Sequence, residues 1–226
     1  MDSASTHTRS EDVPATGVLP FSGELKRKGL HLLALVVPLC MYFFGKTVSL
    51  WILIPIACFG VFGDVLRVRH AGFRAFIQQW FGFMMRPREW PPLGGSVLLN
   101  GATWVFLAAT LTLVIFPVEI AAPAFAMFML ADAAAALIGR RFGRTHWWGG
   151  SRRTVEGSAA FFLTGCVALV LFGLGPWWLV GLVAIAGAAA EAVPKPFNDN
   201  LRVPLVAGTV MACCFHFILH QPVALF

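Results

Sequence analysis

Residues 119–144 read EIAAPAFAMFMLADAAAALIGRRFGR. From Glu119 to Ile138 the run is apolar or small apart from its first residue and Asp132, and Arg140, Arg141 and Arg144 follow at once. About twenty such residues, at 1.5 Å of rise each, match the ~30 Å hydrocarbon core of a bilayer. A carboxylate inside that core is expensive, so Asp132 is a functional residue by default. The alanines around it, with Gly139, leave room for a neighbouring helix to approach closely.

Six more apolar segments surround this one, at residues 30–45, 47–65, 96–116, 157–173, 176–193 and 203–220, giving seven expected spans. The chain of 226 residues is 58% hydrophobic and only 12% charged, with a mean hydropathy of +0.76. A water-facing surface needs roughly a quarter charged residues, so soluble folds are excluded. The expected fold class is all-α, a polytopic transmembrane helical bundle. Residues 1–22 are Ser-, Thr-, Asp- and Pro-containing with no apolar core of a signal peptide, and read as a polar disordered tail; residues 23–226 read as one membrane-embedded catalytic domain. Cys40, Cys58, Cys166, Cys213 and Cys214 all sit within apolar runs and read as small hydrophobes.

Loop charge sets the orientation. With the N-terminus cytoplasmic, sixteen of the seventeen Lys and Arg residues fall on the inner side and only Lys46 outside. The net charge of +6 is thereby explained by topology and attraction to anionic lipid, so no nucleic-acid partner is expected. The chain reads as a multi-pass integral membrane protein, of the inner membrane if bacterial. Phe73, Phe76, Ile77, Trp80, Phe81 and Met84 recur at helical spacing opposite Arg74, Gln78 and Gln79, the pattern of an interfacial amphipathic helix and a possible gate for a lipid.

The remaining polar residues collect on that inner side: His31, Asp64, Glu89, Asn100, Asp132, Glu156, Glu191, Asp199 and Asn200. Glu24, Arg27, Lys28 and His31 share one helical face, a surface able to hold a phosphate or simply to anchor the helix end. The stretch Gly149-Gly-Ser151-Arg152-Arg153-Thr154-Val-Glu156-Gly157 offers amides, hydroxyls and guanidinium forks to phosphates, although Thr154 is equally a helix cap. Glu191 precedes Pro194 and Pro196, which break the helix before Asp199 and Asn200. Acidic and amide oxygens on such a broken segment suit magnesium. His216 and His220 stand four apart at the other membrane face, away from these candidates.

This constellation resembles the polytopic membrane kinases that include dolichol kinase, phytol kinase and CTP-dependent diacylglycerol kinase. The resemblance runs from about Glu24 to Pro204 and rests on Glu24…Arg27-Lys28…His31, Asp64…Arg67, Arg86…Glu89 with Asn100-Gly101, Asp132…Gly139-Arg-Arg-Phe-Gly143, Ser151…Glu156-Gly157 and Glu191…Asp199-Asn200-Leu201…Pro204. Arg153 and Thr154 stand where that family usually has Lys and Ser before the Glu-Gly pair. The resemblance implies transfer of a phosphoryl group from CTP, with Mg2+ or another divalent cation, to the hydroxyl of a polyprenol, phytol-type alcohol or diacylglycerol. Asp132, Glu191 and Asp199 would be catalytic, and with Asn200 would hold the metal. Arg27, Lys28, His31, Asn100, Arg140, Ser151, Arg152, Arg153, Thr154, Glu156 and Asn200 would bind substrate and nucleotide. Asp132 to Gly157 is also similar to phosphatidate cytidylyltransferase, but Pro194-Lys-Pro-Phe-Asn-Asp199-Asn200 departs from that enzyme's ending. A non-enzymatic transporter is the other alternative, and would need a polar path to the outer face.

Overall fold

The computed structural model describes residues 28–29, 31–82, 85, 89–148, 153–193 and 198–223. Their elements are α1 (Val36–Arg69), α2 (Ala71–Phe81), α3 (Gly101–Ile115), α4 (Val118–Phe142), α5 (Val155–Leu171), α6 (Trp177–Ala192) and α7 (Asp199–Cys213), which ends in a π turn, Cys214–Ile218. No strand occurs among the described residues, only an isolated bridge between His146 and Thr154. The protein is an all-α membrane bundle. Three helical stretches are long and apolar enough to cross a bilayer, His31–Arg69, Val118–Phe142 and Asp199–Ile218, and α3, α5 and α6 are shorter apolar helices.

The stretch called α1 is two helices that meet at a break. Gly45 has φ 73° and ψ 179°, a backbone that a glycine adopts without steric penalty. Ser49 Oγ donates to the carbonyl of Cys40 at 3.3 Å. Nine residues of straight helix would separate those groups by about 13 Å, so the chain doubles back at Gly45. The expected segments 30–45 and 47–65 meet there. At the same end Lys46 Nζ donates to the carbonyls of Val114 (3.0 Å) and Phe116 (3.4 Å), which α3 leaves unpaired at its C-terminus.

Succeeding helices then alternate. α3 starts away from Lys46 and ends beside it, α4 returns, and α5, α6 and α7 continue the alternation, so the ends of α1 and α4 and the starts of α3, α5 and α7 share one end of the bundle. Helix α4 is its axis, packed against α1, α3, α5 and α7. Every residue from Ile120 to Met129 is buried, as expected of a helix apolar on all sides. The outside is equally apolar: Trp177 is 86% exposed and Trp51 77%, a surface that only lipid can cover.

Glycines set the α4–α5 contact. A Cβ on Gly157 would lie 3.1 Å from the Ala135 carbonyl and 3.4 Å from Gly139 Cα, and one on Gly143 would run into the Gly139 carbonyl and Thr154. The start of α5 is therefore pressed on the last turns of α4. Helix α2 packs against the foot of α1, no residue of it is buried, and Phe76, Trp80 and Phe81 are exposed, as an interfacial helix requires. Met84 and the tail 1–22 lie outside the described residues.

Candidate active site

Asp132 sits one turn beyond the fully buried stretch of α4, with its side chain 20% exposed. Lys28 Nζ pairs with Asp132 Oδ2, and His31 Nε2 lies 3.4 Å from the same oxygen. The His31 ring meets Phe128 edge-on with centroids 5.6 Å apart. Lys28 with His31, and Phe128 with Asp132, are each about one helical turn apart, so two helical faces match turn for turn. The i, i+3 spacing read in the sequence is thus seated on the axial helix 104 residues away.

A second group joins three helix ends. Arg153, just before the Thr154 cap of α5, pairs with Glu191 in the last turn of α6 and with Asp199 in the first turn of α7. Asp199 also accepts from Arg202 at 2.8 Å, and Arg202 donates to the carbonyl of Val193 at 2.8 Å. Asn198 caps α7, its side chain accepting the Asn200 amide at 3.0 Å. Thus two carboxylates from different helices converge on one guanidinium whose side chain stays 22% exposed.

The third group is closed. Arg67 donates to Asp64 (2.8 Å) and to the carbonyls of Glu89 (2.6 Å) and Leu98 (3.0 Å), and stacks on Trp90 at 5.3 Å. Asp64 accepts from the Asn100 amide and side-chain nitrogen, each at 2.9 Å. Asn100 Oδ1 meanwhile caps α3 by accepting from Ala102 and Thr103. Asn200 reaches this group through the Gly101 carbonyl at 3.4 Å.

Those of the residues expected from the sequence that the structure describes therefore gather at one end of the bundle, with three ion-pair groups among them. Asn100 is engaged in its cap and Asp64. Thr154 caps α5 by accepting the Gly157 amide at 3.1 Å and is buried. Glu156 accepts the amides of Arg144 and Thr145, both at 3.1 Å. Its own backbone N–H first, and then that of Arg144, hold this loop-facing carboxyl below its usual range. Arg140 is exposed in the last turn of α4. Arg27, Ser151 and Arg152 lie outside the described residues. Among the described residues no group of three or more His, Cys, Asp or Glu forms a ready-made metal centre. Magnesium bound to a nucleotide, however, needs only one or two protein carboxylates beside the phosphates. The donor chemistry of Glu191 and Asp199, already shared by one cation, fits that arrangement; Asp132 rests on a different cation.

Some residues of this end were not singled out in the sequence. Arg202 is one of the inner-side basic residues, and its i, i+3 spacing from Asp199 is legible in the sequence. Asn198 precedes a helix start, which is a cap signal. Trp147 donates from Nε1 to Ser158 Oγ at 2.9 Å and borders a cavity between α5 and α6. No local pattern reveals that contact.

With this geometry in view, the relatives are informative. The chain is 26% identical over 192 residues to an uncharacterised protein of Rickettsia prowazekii, covering 82% of this chain and 91% of that one. It is 26% identical over 217 residues to CTP-dependent diacylglycerol kinase 1 of Schizosaccharomyces pombe, covering 87% and 94%. No protein-family description and no solved structure matches. The likeness to that kinase covers most of both chains. It supports the lipid-kinase resemblance in general, without extending to dolichol or phytol kinase.

Proposed function

We propose that this protein is a CTP-dependent lipid kinase that phosphorylates the hydroxyl of a membrane lipid alcohol at the cytoplasmic interface. The observation that carries the reading is the meeting of Glu191 and Asp199 on Arg153 at one end of a membrane bundle, in a chain similar over most of its length to a CTP-dependent diacylglycerol kinase. Phosphoryl transfer demands positioning and charge neutralisation more than covalent help from the protein. Arg153, with Arg152 and Arg27 from the adjoining segments, supplies positive charge to the triphosphate. Glu191 and Asp199, with Asn200, would hold a divalent cation, which supplies further neutralisation of phosphate charge when bound.

Asp132 orients the alcohol and accepts its proton, while Lys28 and His31 hold the carboxylate in place and offset its charge. The alcohol oxygen forms a bond to the terminal phosphorus of CTP, the bond from that phosphorus to the bridging oxygen breaks, and CDP leaves. The lipid gains a phosphate, and the hydroxyl proton passes to Asp132.

Purified protein incubated with terminally labelled CTP, magnesium and a panel of dolichol, phytol, farnesol, dioleoylglycerol and, for the rival reaction, phosphatidate tests the reading. The expected result is label in one lipid and CDP in solution. Release of pyrophosphate with CMP retained on the lipid would instead identify a cytidylyltransferase, and no turnover with any alcohol would overturn the kinase.

A further inference from the structure

A cavity of about 360 Å³ opens between α5 and α6, beside the Arg153–Glu191 pair. That volume falls within the ~300–1,000 Å³ of small-molecule sites. One wall is Ser158 and Phe162 on α5; the other is Ile185, Ala188, Ala189 and Ala192 on α6. Each set keeps helical spacing, so each is a continuous stripe. The alanines hollow the α6 side. Trp147 and Trp148 cover the end nearest the loop, their rings tilted 38° with centroids 6.1 Å apart. Among the described lining residues Ser158 alone bears a hydroxyl, and Trp147 already engages it. The walls thus offer a ligand hydrocarbon contact.

Position supplies the remaining argument. Ala188 and Ala192 lie on either side of Glu191 in α6, and Ser158 is one turn beyond the Thr154 cap that follows Arg153. The mouth of an apolar slot therefore abuts a charged group, while Ile185, 57% exposed, opens its flank to the bilayer. A molecule with a polar head and an apolar tail matches that sequence of surfaces.

We propose that this groove receives one hydrocarbon chain of the lipid alcohol and thereby holds its polar head at the charged end of the bundle, beside the Arg153–Glu191–Asp199 group. This rests on the lipid-kinase reading above and moves the tail's entry from α2, where the amphipathic pattern suggested it, to the α5–α6 seam. Trp147 and Trp148 form its lid, and the α6 alanines set how thick a chain fits.

The experiment uses full-length protein in phosphatidylcholine nanodiscs and a diacylglycerol carrying a photoreactive diazirine on one acyl chain, with labelled peptides located by mass spectrometry. Label is expected on residues 147–148, 158–162 and 185–193, and excess dioleoylglycerol should compete it away. Ala189→Trp, at an exposed position that tolerates bulk, should reduce this label severalfold. It should raise the KM for dioleoylglycerol roughly tenfold, the loss of about two buried methylenes, with kcat and the KM for CTP nearly unchanged. Ala188→Leu should do the same more weakly, guarding against a folding defect in the first variant. Label on α2 instead, or equal uncompeted label from a photoreactive phosphatidylcholine, would overturn the proposal. Competed label in the groove with no phosphate transfer to any alcohol would keep the groove and discard the kinase. Transfer with an unchanged KM in both variants would do the reverse.

Discussion

Two ion-pair groups at the same end of the bundle carry similar residues in opposite states. Arg67 and Asp64 expose 2% and 1% of their side chains, and Asn100 and two backbone carbonyls add fixed hydrogen bonds to the pair. Arg153, Glu191 and Asp199 expose 22%, 12% and 36%, and among the described residues they pair with one another and with Arg202. A buried pair with fixed partners has no room for a ligand, and opening it strands a charge in an apolar setting. The accessible group can exchange a protein partner for a phosphate or a cation at modest expense. The first is a clasp holding α1 to α3; the second is the group proposed as the site.

Arg67→Ala should produce the largest loss of stability, about 3–5 kcal/mol, because Asp64 is left buried and uncompensated. Thermal unfolding in detergent measures it. Arg67→Lys should rescue poorly, since an ammonium cannot repeat a fork that reaches three acceptors; a nearly unchanged Tm in either variant would break the contrast. Asp199→Asn, in the open group, should unfold within about 1 kcal/mol of wild type, yet lower phosphate transfer on the order of a hundredfold or more through lost charge at the triphosphate. Asp132→Asn should cut activity comparably. Full activity in both variants would remove them from the site.

A smaller effect tests how the open group is positioned. Gly157→Val places bulk against the Ala135 carbonyl and Gly139, which should cost about 1–3 kcal/mol as α5 is pushed off α4. Activity should fall with it, because Arg153 moves with the start of α5; destabilisation without loss of turnover would separate the two. The smallest effect concerns Glu156, whose carboxyl is held below its usual value of 4.5 by backbone donors. A depressed folded value means stabilisation that is complete above the ordinary carboxylate range and is lost as pH falls through the lower folded value. Glu156→Gln should flatten that acid limb in unfolding curves taken between pH 3 and 6, and an unchanged limb would assign acid sensitivity to other groups.

The difference between clasp and site was only partly readable from the chain. Asp64, Asn100, Glu191 and Asp199 all stood out as polar residues near apolar runs, with nothing in their identity to sort them. Asn and Thr both cap helices and both ligate phosphates or metals, so Asn100 and Thr154 read equally well either way until the Ala102, Thr103 and Gly157 amides were seen on their oxygens. The spacing of Lys28 and His31 defined a face, but its partner, Asp132, is 104 residues from Lys28. Gly45 was a break between two segments in the sequence; its positive φ made that break a reversal.

The sequence by itself determined the membrane bundle, the interfacial helix and the polar end, because segment length, apolarity and loop charge act locally and the bilayer selects on each of them. Only the tertiary structure decided which carboxylate meets which cation, which polar groups are spent on caps, and that α5 and α6 part beside Trp147 to leave an apolar groove. Those outcomes depend on contacts between helices far apart in the chain, and a few ångströms of separation, set by residues as small as Gly139 and Gly157, separate a packed seam from an open one.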